Sequence, residues 1–403
     1  MRRVVVTGMG IVSSIGNSLQ EVTDSLYHAK SGIAQVEEYR QLGFRCHVAG
    51  TVKLNLEEVL DRRTLRFMGG AAAYTYLAMQ QAIEDAGLDA NEVSNELTGL
   101  VVGSGGPSTS AIVTAADTLR RSGVKRVGPT QVPKAMSSTC SANLAVQFKI
   151  KGISYSISSA CATSAHCIGN AAEIIQLGKQ DIMFAGGGEE MDWTFTALFD
   201  AMGALSSRYN ENPHQASRPF DMNRDGFVIS CGGGILVLEE LENARARGAK
   251  IYAELAGYAG TTDGEDMVAP SGEGAQRCMR LAMRDLDIPV DYINAHATST
   301  TVGDIQEVGA IKEVFDEESP VINSTKSLTG HAQGAAGVHE AIYSLLMLDK
   351  GFVSESANIS ELDSSMRNIN IARKRIDMPD MQCVLSNSFG FGGTNASLLF
   401  RKV

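Results

Sequence analysis

The chain has 403 residues, 44% of them hydrophobic and 20% charged, with 41 glycines and a formal net charge of −11. That length holds two domains or one large duplicated α/β unit, and the acidic balance excludes a general nucleic-acid binder, which needs a basic face against phosphate. No run approaches the ~20 apolar residues that span a bilayer, and the N-terminal MRRVVVTGMGIVSSIG is too short, β-rich and glycine-broken for a signal peptide.

Taken in chain order, short β-branched runs alternate with helical patterns, the signature of layered α/β structure. Strands are predicted at 4–7, 100–102, 155–158, 182–185 and 235–239, with helices at 70–86 and 162–177. After ENARARGAK a second series starts, with strands at 251–255, 292–295, 321–324, 384–386 and 396–400. Its helices fall at 275–285, 305–315 and 332–349. Two series of five strands predict a duplicated fold, its halves spanning residues 1–250 and 251–403.

The seven cysteines (46, 140, 161, 167, 231, 278 and 383) are odd in number and form no CxxC pair. A disulfide framework or structural zinc site does not fit that pattern, whereas a reducing cytoplasm does. Two basic clusters interrupt the acidic background: DRRTLRF, with Arg62, Arg63 and Arg66, and RRSGVKR, with Arg120, Arg121, Lys125 and Arg126. Such clusters are ordinarily solvated surface unless an acidic partner docks on them.

Four segments hold residue types suited to chemistry. In SISSACATSAHCIG, Cys161 precedes a helix of small apolar residues (Ala162, Ala165, Ile168, Gly169, Ala172, Ile175). Unpaired N–H groups and the positive helix end would favour thiolate there. A buried structural thiol is the competing reading; His166 and Cys167 are expected to pack or bond locally. In DYINAHATSTTVGDIQEV, His296 follows a strand in a turn with Thr298, Ser299, Thr300 and Thr301, while Asp304 and Glu307 have capping-box spacing. In INSTKSLTGHAQGAAGVHEA, Lys326 and His331 lie between a strand and a helix. At a helix start the dipole would keep His331 neutral; His339, eight residues on, is expected to pack. Finally, the glycines of SNSFGFGGTN let backbone N–H groups approach a ligand.

Neither that loop nor GMGIVS reads as a nucleotide site. The first lacks a Lys-Ser/Thr pair and a following helix, and the second lacks the third glycine of a dinucleotide fingerprint. Cys161, His296 and His331 have no local metal-ligand spacing, so no metal is expected. A cysteine, two histidines and a lysine after strand ends, beside a glycine loop, suit acyl transfer to a thiol.

SSACATSAHCIG, AHATST, STKSLTGHAQGAAG and NSFGFGGTN, in this order, resemble the β-ketoacyl-acyl-carrier-protein synthases, and the bacterial elongating type I enzymes most. FDAMGALS, RDGFVIS, MVAPSGEGA and QLGKQDIMFAGGGEE fit the same pattern, so the likeness runs almost from end to end. The resemblance implies a thiolase-like fold, two duplicated halves in five αβαβα layers, acting as a homodimer in fatty-acid chain elongation. It implies that Cys161 accepts the acyl chain, that His296 and His331 are the paired histidines, and that Lys326 supports them, held by Glu307, with Asp304 a supporting cap. The N–H groups of Cys161 and Phe391 would form the oxyanion hole. Thr298 and Thr300 would contact a phosphopantetheine arm, and Phe199 and Met202 would line an acyl tunnel. No other cofactor is implied, because that arm arrives on an acidic acyl carrier protein, for which Arg62, Arg66, Arg121 and Lys125 are the candidate contacts.

The chain reads HATSTT where the type I pattern has HGTSTP; Ala297 is compatible unless that backbone needs positive φ, and Thr301 would loosen the turn. CSANLAVQFKI and MDWTFTALFDAMG also depart, near the family's dimer interface and acyl tunnel. Two rivals have sequence tests. A thiolase acting on coenzyme A esters needs a second acid/base cysteine near the C-terminus, and Cys383 lies instead in an apolar strand. A silent chain-length-factor partner lacks the nucleophile, which Cys161 supplies.

Overall fold

The computed structural model describes residues 1–106, 108–315 and 319–403. Strands β1 (Val4–Val12), β2 (Thr98–Gly103), β3 (Ser154–Tyr155), β4 (Ile182–Glu189) and β5 (Gly232–Glu240) form the first series. The second holds β6 (Ala253–Thr262), β7 (Tyr292–Asn294), β8 (Val321–Asn323), β9 (Cys383–Gly390) and β10 (Thr394–Arg401). All ten share one sheet, ordered β8-β7-β9-β10-β6-β1-β5-β4-β2-β3. Outward from the central β6–β1 pair, one half reads 1-5-4-2-3 and the other 6-10-9-7-8, so each strand repeats the place of the strand five numbers before it. The halves are joined through a short antiparallel contact, Val5 opposite Glu254 and Val6 opposite Ala253.

Helices complete five layers. Outside the first half lie α1 (Gly70–Ala86) and α2 (Thr139–Phe148); α3 (Thr163–Gln176) is central, and α4 (Trp193–Met202) lies beyond β4 in the chain. On the second half, α5 (Glu273–Ala282) packs on β6 and β10 with α6 (Gly303–Phe315) behind it, while α7 (Ala336–Lys350) joins α3 in the middle. A helix packed between the two halves of the sheet has no wet face and must be largely apolar or small all round. That is why Ala162, Ala165, Ile168, Gly169, Ala172 and Ile175 are all buried, and why every residue from Ala336 to Leu348 is buried too. This middle layer is one continuous core with Val4, Val6, Met9 and Ile11 of β1 and Leu398 and Phe400 of β10. Among the described residues, no helix is long and apolar enough to cross a membrane.

Every predicted strand but one overlaps an observed strand over most of its length, 251–255 starting two residues early and 292–295 and 321–324 ending one residue late. The exception is 155–158, where only Ser154–Tyr155 pairs; the Ser156 hydroxyl donates to the Val102 carbonyl at 2.6 Å, and the chain leaves the ladder there. The helix predicted at 332–349 is split into a single tight turn, Gln333–Ala335, and α7. Gln333 has φ +48°, which interrupts the first helical turn and leaves His331 outside the helix.

Candidate functional site

The parallel strands of both halves end around one cavity of about 350 Å³. Loops after β3, β7, β8 and β9 bring Cys161, His296, His331 and Phe391 to its wall, as expected where a parallel sheet presents its C-terminal edge. Thr298, Thr300, Phe199, Met202 and Glu307 also line it. Lys326 lies behind the wall, 1% exposed. Arg62, Arg66, Arg121 and Lys125 are exposed and none lines the cavity.

Cys161 stands in a strained turn. Ala160 before it has φ +50°, a conformation that costs ~1–3 kcal/mol and persists only where its surroundings enforce it. Here Ser159 bridges to Cys161, and the Ser159 hydroxyl is hydrogen-bonded to His166 Nδ1 at 2.7 Å. The local role expected for His166 is therefore to brace the cysteine turn. Helix α3 starts at Thr163 with Ala162 as its cap, so Cys161 precedes the cap. The expected dipole effect does not govern the thiol. Burial does, pushing it up to about 12, with the Lys326 ammonium pulling the other way. The resting group is a thiol. Its sulfur lies within reach of the Phe391 N–H, in the three-residue turn joining β9 to β10, where Gly392 and Gly393 both take positive φ.

The histidines meet edge to face, ring centroids 5.2 Å apart at 85°. Phe227 packs on His331 at 5.6 Å and Phe389 on His296 at 5.9 Å. Both rings are held well below the usual imidazole range, by burial first and by Lys326 next; His331 also opposes a charge on His296. For His331 this corrects the predicted helix-dipole cause. Neither ring nitrogen of His331, nor Nδ1 of His296, has a partner among the described residues. Buried unsatisfied nitrogens are costly in a resting fold and characteristic of a site awaiting a ligand. We expect imidazole NMR signals from both rings to remain those of neutral histidine from pH 8 down to 6. A midpoint near ~6.5, the ordinary value, would contradict this electrostatic picture.

Glu307 does not hold Lys326. Its two oxygens accept from the N–H groups of His296 (2.9 Å) and Ala297 (2.6 Å), and Asn387 Nδ2 adds a third bond at 3.3 Å. Glu307 thus fixes the histidine loop, and the partner of Lys326 Nζ is Glu340, on α7. Nor is Asp304 merely a helix cap. It accepts from the N–H of Ser299 at 3.1 Å and of Phe220 at 3.0 Å, beside the Arg224 guanidinium at 3.6 Å. Arg224 in turn donates to the carbonyls of Thr300 and Thr301, both at 2.9 Å. Thr301 is therefore anchored rather than loosening its turn. Positive φ falls on Ser299 and not on Ala297, so the alanine methyl is accommodated.

Sequence reasoning missed Glu340, Arg224, Asn387 and Gln333. Glu340 left one faint trace, a charge inside an otherwise small or apolar run, and Arg224, among Asp221, Asn223 and Asp225, left none. Cys383, by contrast, begins β9 at the end remote from Phe391 and is buried.

Matches to known proteins agree with this geometry. Residues 1–244 match the beta-ketoacyl synthase N-terminal domain and residues 252–360 the corresponding C-terminal domain. A relative from Haemophilus influenzae, 3-oxoacyl-acyl-carrier-protein synthase 1, is 59% identical over 403 residues, covering 100% of this chain and 99% of its own. Among solved structures, a beta-ketoacyl synthase from Burkholderia phymatum superposes with a TM-score of 0.94 at 34% identity, covering 100% of both chains. A type II PKS ketosynthase, solved in complex with its acyl-carrier protein, superposes with 0.91 at 31%, again covering 100% of both.

Proposed function

The chain belongs to the β-ketoacyl synthase family, and from that premise we propose that Cys161, His296, His331 and Lys326 carry out its reaction. The enzyme is an acyltransferase of fatty-acid elongation. It condenses an acyl chain with malonyl-acyl-carrier protein, with loss of carbon dioxide, to give 3-oxoacyl-carrier protein.

In the first half-reaction the Cys161 sulfur attacks the thioester carbonyl of an acyl-carrier protein. The oxyanion that forms is met by the N–H groups of Cys161 and Phe391. The thiol proton passes to the departing pantetheine sulfur, through a neutral imidazole, and a new thioester remains on Cys161. In the second, the malonyl thioester oxygen takes hydrogen bonds from His296 and His331. Only neutral rings with free nitrogens suit this task, and their pairing beside Cys161 is the observation that carries the reading. The carbon–carbon bond to the carboxylate breaks, carbon dioxide leaves, and its electron pair forms an enolate. The enolate carbon attacks the Cys161 thioester and expels the thiolate, which regains a proton. Lys326, clamped by Glu340, supplies positive field without approaching the substrate. Its charge also keeps both imidazoles neutral.

Thr298 and Thr300, with hydroxyls 3.2 Å apart on the cavity wall, are our candidates to receive the phosphopantetheine arm. Phe199 and Met202 line the acyl side, Phe199 packing edge-on to Phe227 at 5.4 Å. That arm is the prosthetic group the reaction calls on, because a thioester supplies both the electrophilic carbonyl and the stabilised carbanion. The carrier protein is the partner; we read it as acidic, docking on Arg62, Arg66, Arg121 and Lys125, all exposed. A homodimer is supported by the exposed apolar side chains Ile112, Leu119, Val124, Val132 and Val146. Residues 1–250 and 251–403 are treated as its two halves, and its seven free thiols favour a reducing cytoplasm.

Intact-protein mass after mixing with a ladder of acyl-carrier thioesters tests the assignment. We expect one acyl adduct, mapped by peptide mass to Cys161. An adduct from acetyl-coenzyme A alone would favour the thiolase reading, and none from either donor would favour a silent partner.

A further inference from the structure

Gln333 enters none of the steps above, yet it is the side chain nearest in kind to a proton acceptor at the resting nucleophile. Its Oε1 lies 3.6 Å from Cys161 Sγ, within the range of an S–H···O hydrogen bond. The orientation of the amide is settled by its other end, where Nε2 donates to the His331 carbonyl at 3.3 Å. A flipped amide would set two carbonyl oxygens against each other, so the oxygen must face the thiol.

This placement is imposed on the backbone. Gln333 is 4% exposed and holds φ +48°, a conformation disfavoured for a long side chain. The next residue is pinned: Gly334 N–H donates to Glu189 Oε2 at 3.0 Å, and the same carboxylate takes the Gly105 N–H at 2.8 Å and the Ser104 hydroxyl at 2.7 Å. A β-carbon on Gly334 would come 2.1 Å from the Gly105 nitrogen, so the two loops touch backbone to backbone. Glu189, at the end of β4, thereby ties the first half of the molecule to the turn that carries Gln333.

We infer that Gln333 is a positioning residue that accepts the Cys161 S–H, holding the resting nucleophile as an oriented thiol. An amide oxygen cannot take the proton. It stabilises the thiol and repels the thiolate, so the contact is lost when the proton leaves. The other charged or titratable groups around the thiol are Lys326, Glu189 and Glu340, with His296 and His331 across the cavity. Lys326 favours thiolate and the two carboxylates oppose it; Gln333 adds to their side as a contact rather than a field. Its consequence is a nucleophile that is protected between turnovers from adventitious alkylation and oxidation.

This inference rests on Cys161 being the acyl-accepting nucleophile, and the test separates the two claims. Iodoacetamide alkylation of the Cys161 peptide is followed by mass across pH in the full-length enzyme, for wild type, Gln333→Asn, Gln333→Met and Gln333→Glu. Asn tolerates the left-handed backbone and withdraws the amide, so that variant keeps the fold while losing the contact. We expect three- to tenfold faster alkylation at pH 7 for Asn and Met, and a midpoint about one pH unit higher for Glu, whose carboxylate is a stronger acceptor. Unchanged rates in Asn and Met, and an unmoved midpoint in Glu, would overturn the role of Gln333. Failure of wild type to take an acyl group at Cys161 would instead overturn the nucleophile assignment, leaving the alkylation profiles to judge Gln333 on their own.

Discussion

Replacing Cys161 by alanine is expected to lower condensation on the order of 10⁴-fold or more, the scale seen when a nucleophile is deleted, while decarboxylation of malonyl-carrier persists. The split follows from the geometry. Without Sγ no acyl-enzyme forms and the enolate has no electrophile. Yet His296 and His331 are held by the Glu307 loop, Phe227, Phe389 and the bridge from His331 to Ile229, none of which involves the thiol. Released carbon dioxide, measured beside 3-oxoacyl product, reads the two steps separately. Loss of both activities from a folded Cys161→Ala protein would mean that the imidazoles do not act independently of the cysteine.

The second large effect is on stability. Lys326 and Glu340 are each 2% exposed at the side chain and clamp one another within the middle layer. Glu340→Ala would leave an ammonium buried without a counter-charge, at a cost of ~3–5 kcal/mol. The double variant Lys326→Met/Glu340→Leu removes both charges for groups of similar volume and should unfold at nearly the wild-type denaturant concentration, since such replacements are often neutral. Condensation should fail in both, because the field of Lys326 is gone or misplaced. Equal stability of Glu340→Ala and wild type would show that the fold does not depend on the Lys326–Glu340 pair.

The fold was legible in the sequence because its signals are local. Helix α1 is an alanine-rich run ending at Gly87, which takes the left-handed cap, and its predicted limits are those observed. The small-residue faces of α3 and α7 state their burial directly. The candidate residues were legible for the same reason, each being a reactive type in a short loop after a strand. What escaped was whatever depends on meeting a distant partner. Nothing near Lys326 says that its partner is Glu340 rather than Glu307, since both are acidic residues within twenty positions. The proton state of Cys161 was misread because helix position is visible in sequence while desolvation is not. Arg224 looks like a surface charge until Asp304, Asp363 and two carbonyls close around it.

The central strand carries a kinetic burden. β1 spans residues 4–12, but its partners are Gly233–Glu240 on one side and Ala253–Glu254 on the other. A ribosome adding ~5–20 residues per second needs about 10–50 s between making β1 and making its first partner. Throughout that interval a strand rich in valine, with both edges open, waits in the nascent chain. Non-local pairing of this kind makes folding slow and exposes sticky intermediates, so the β1–β5 and β1–β6 pairs form long after β1 itself is made.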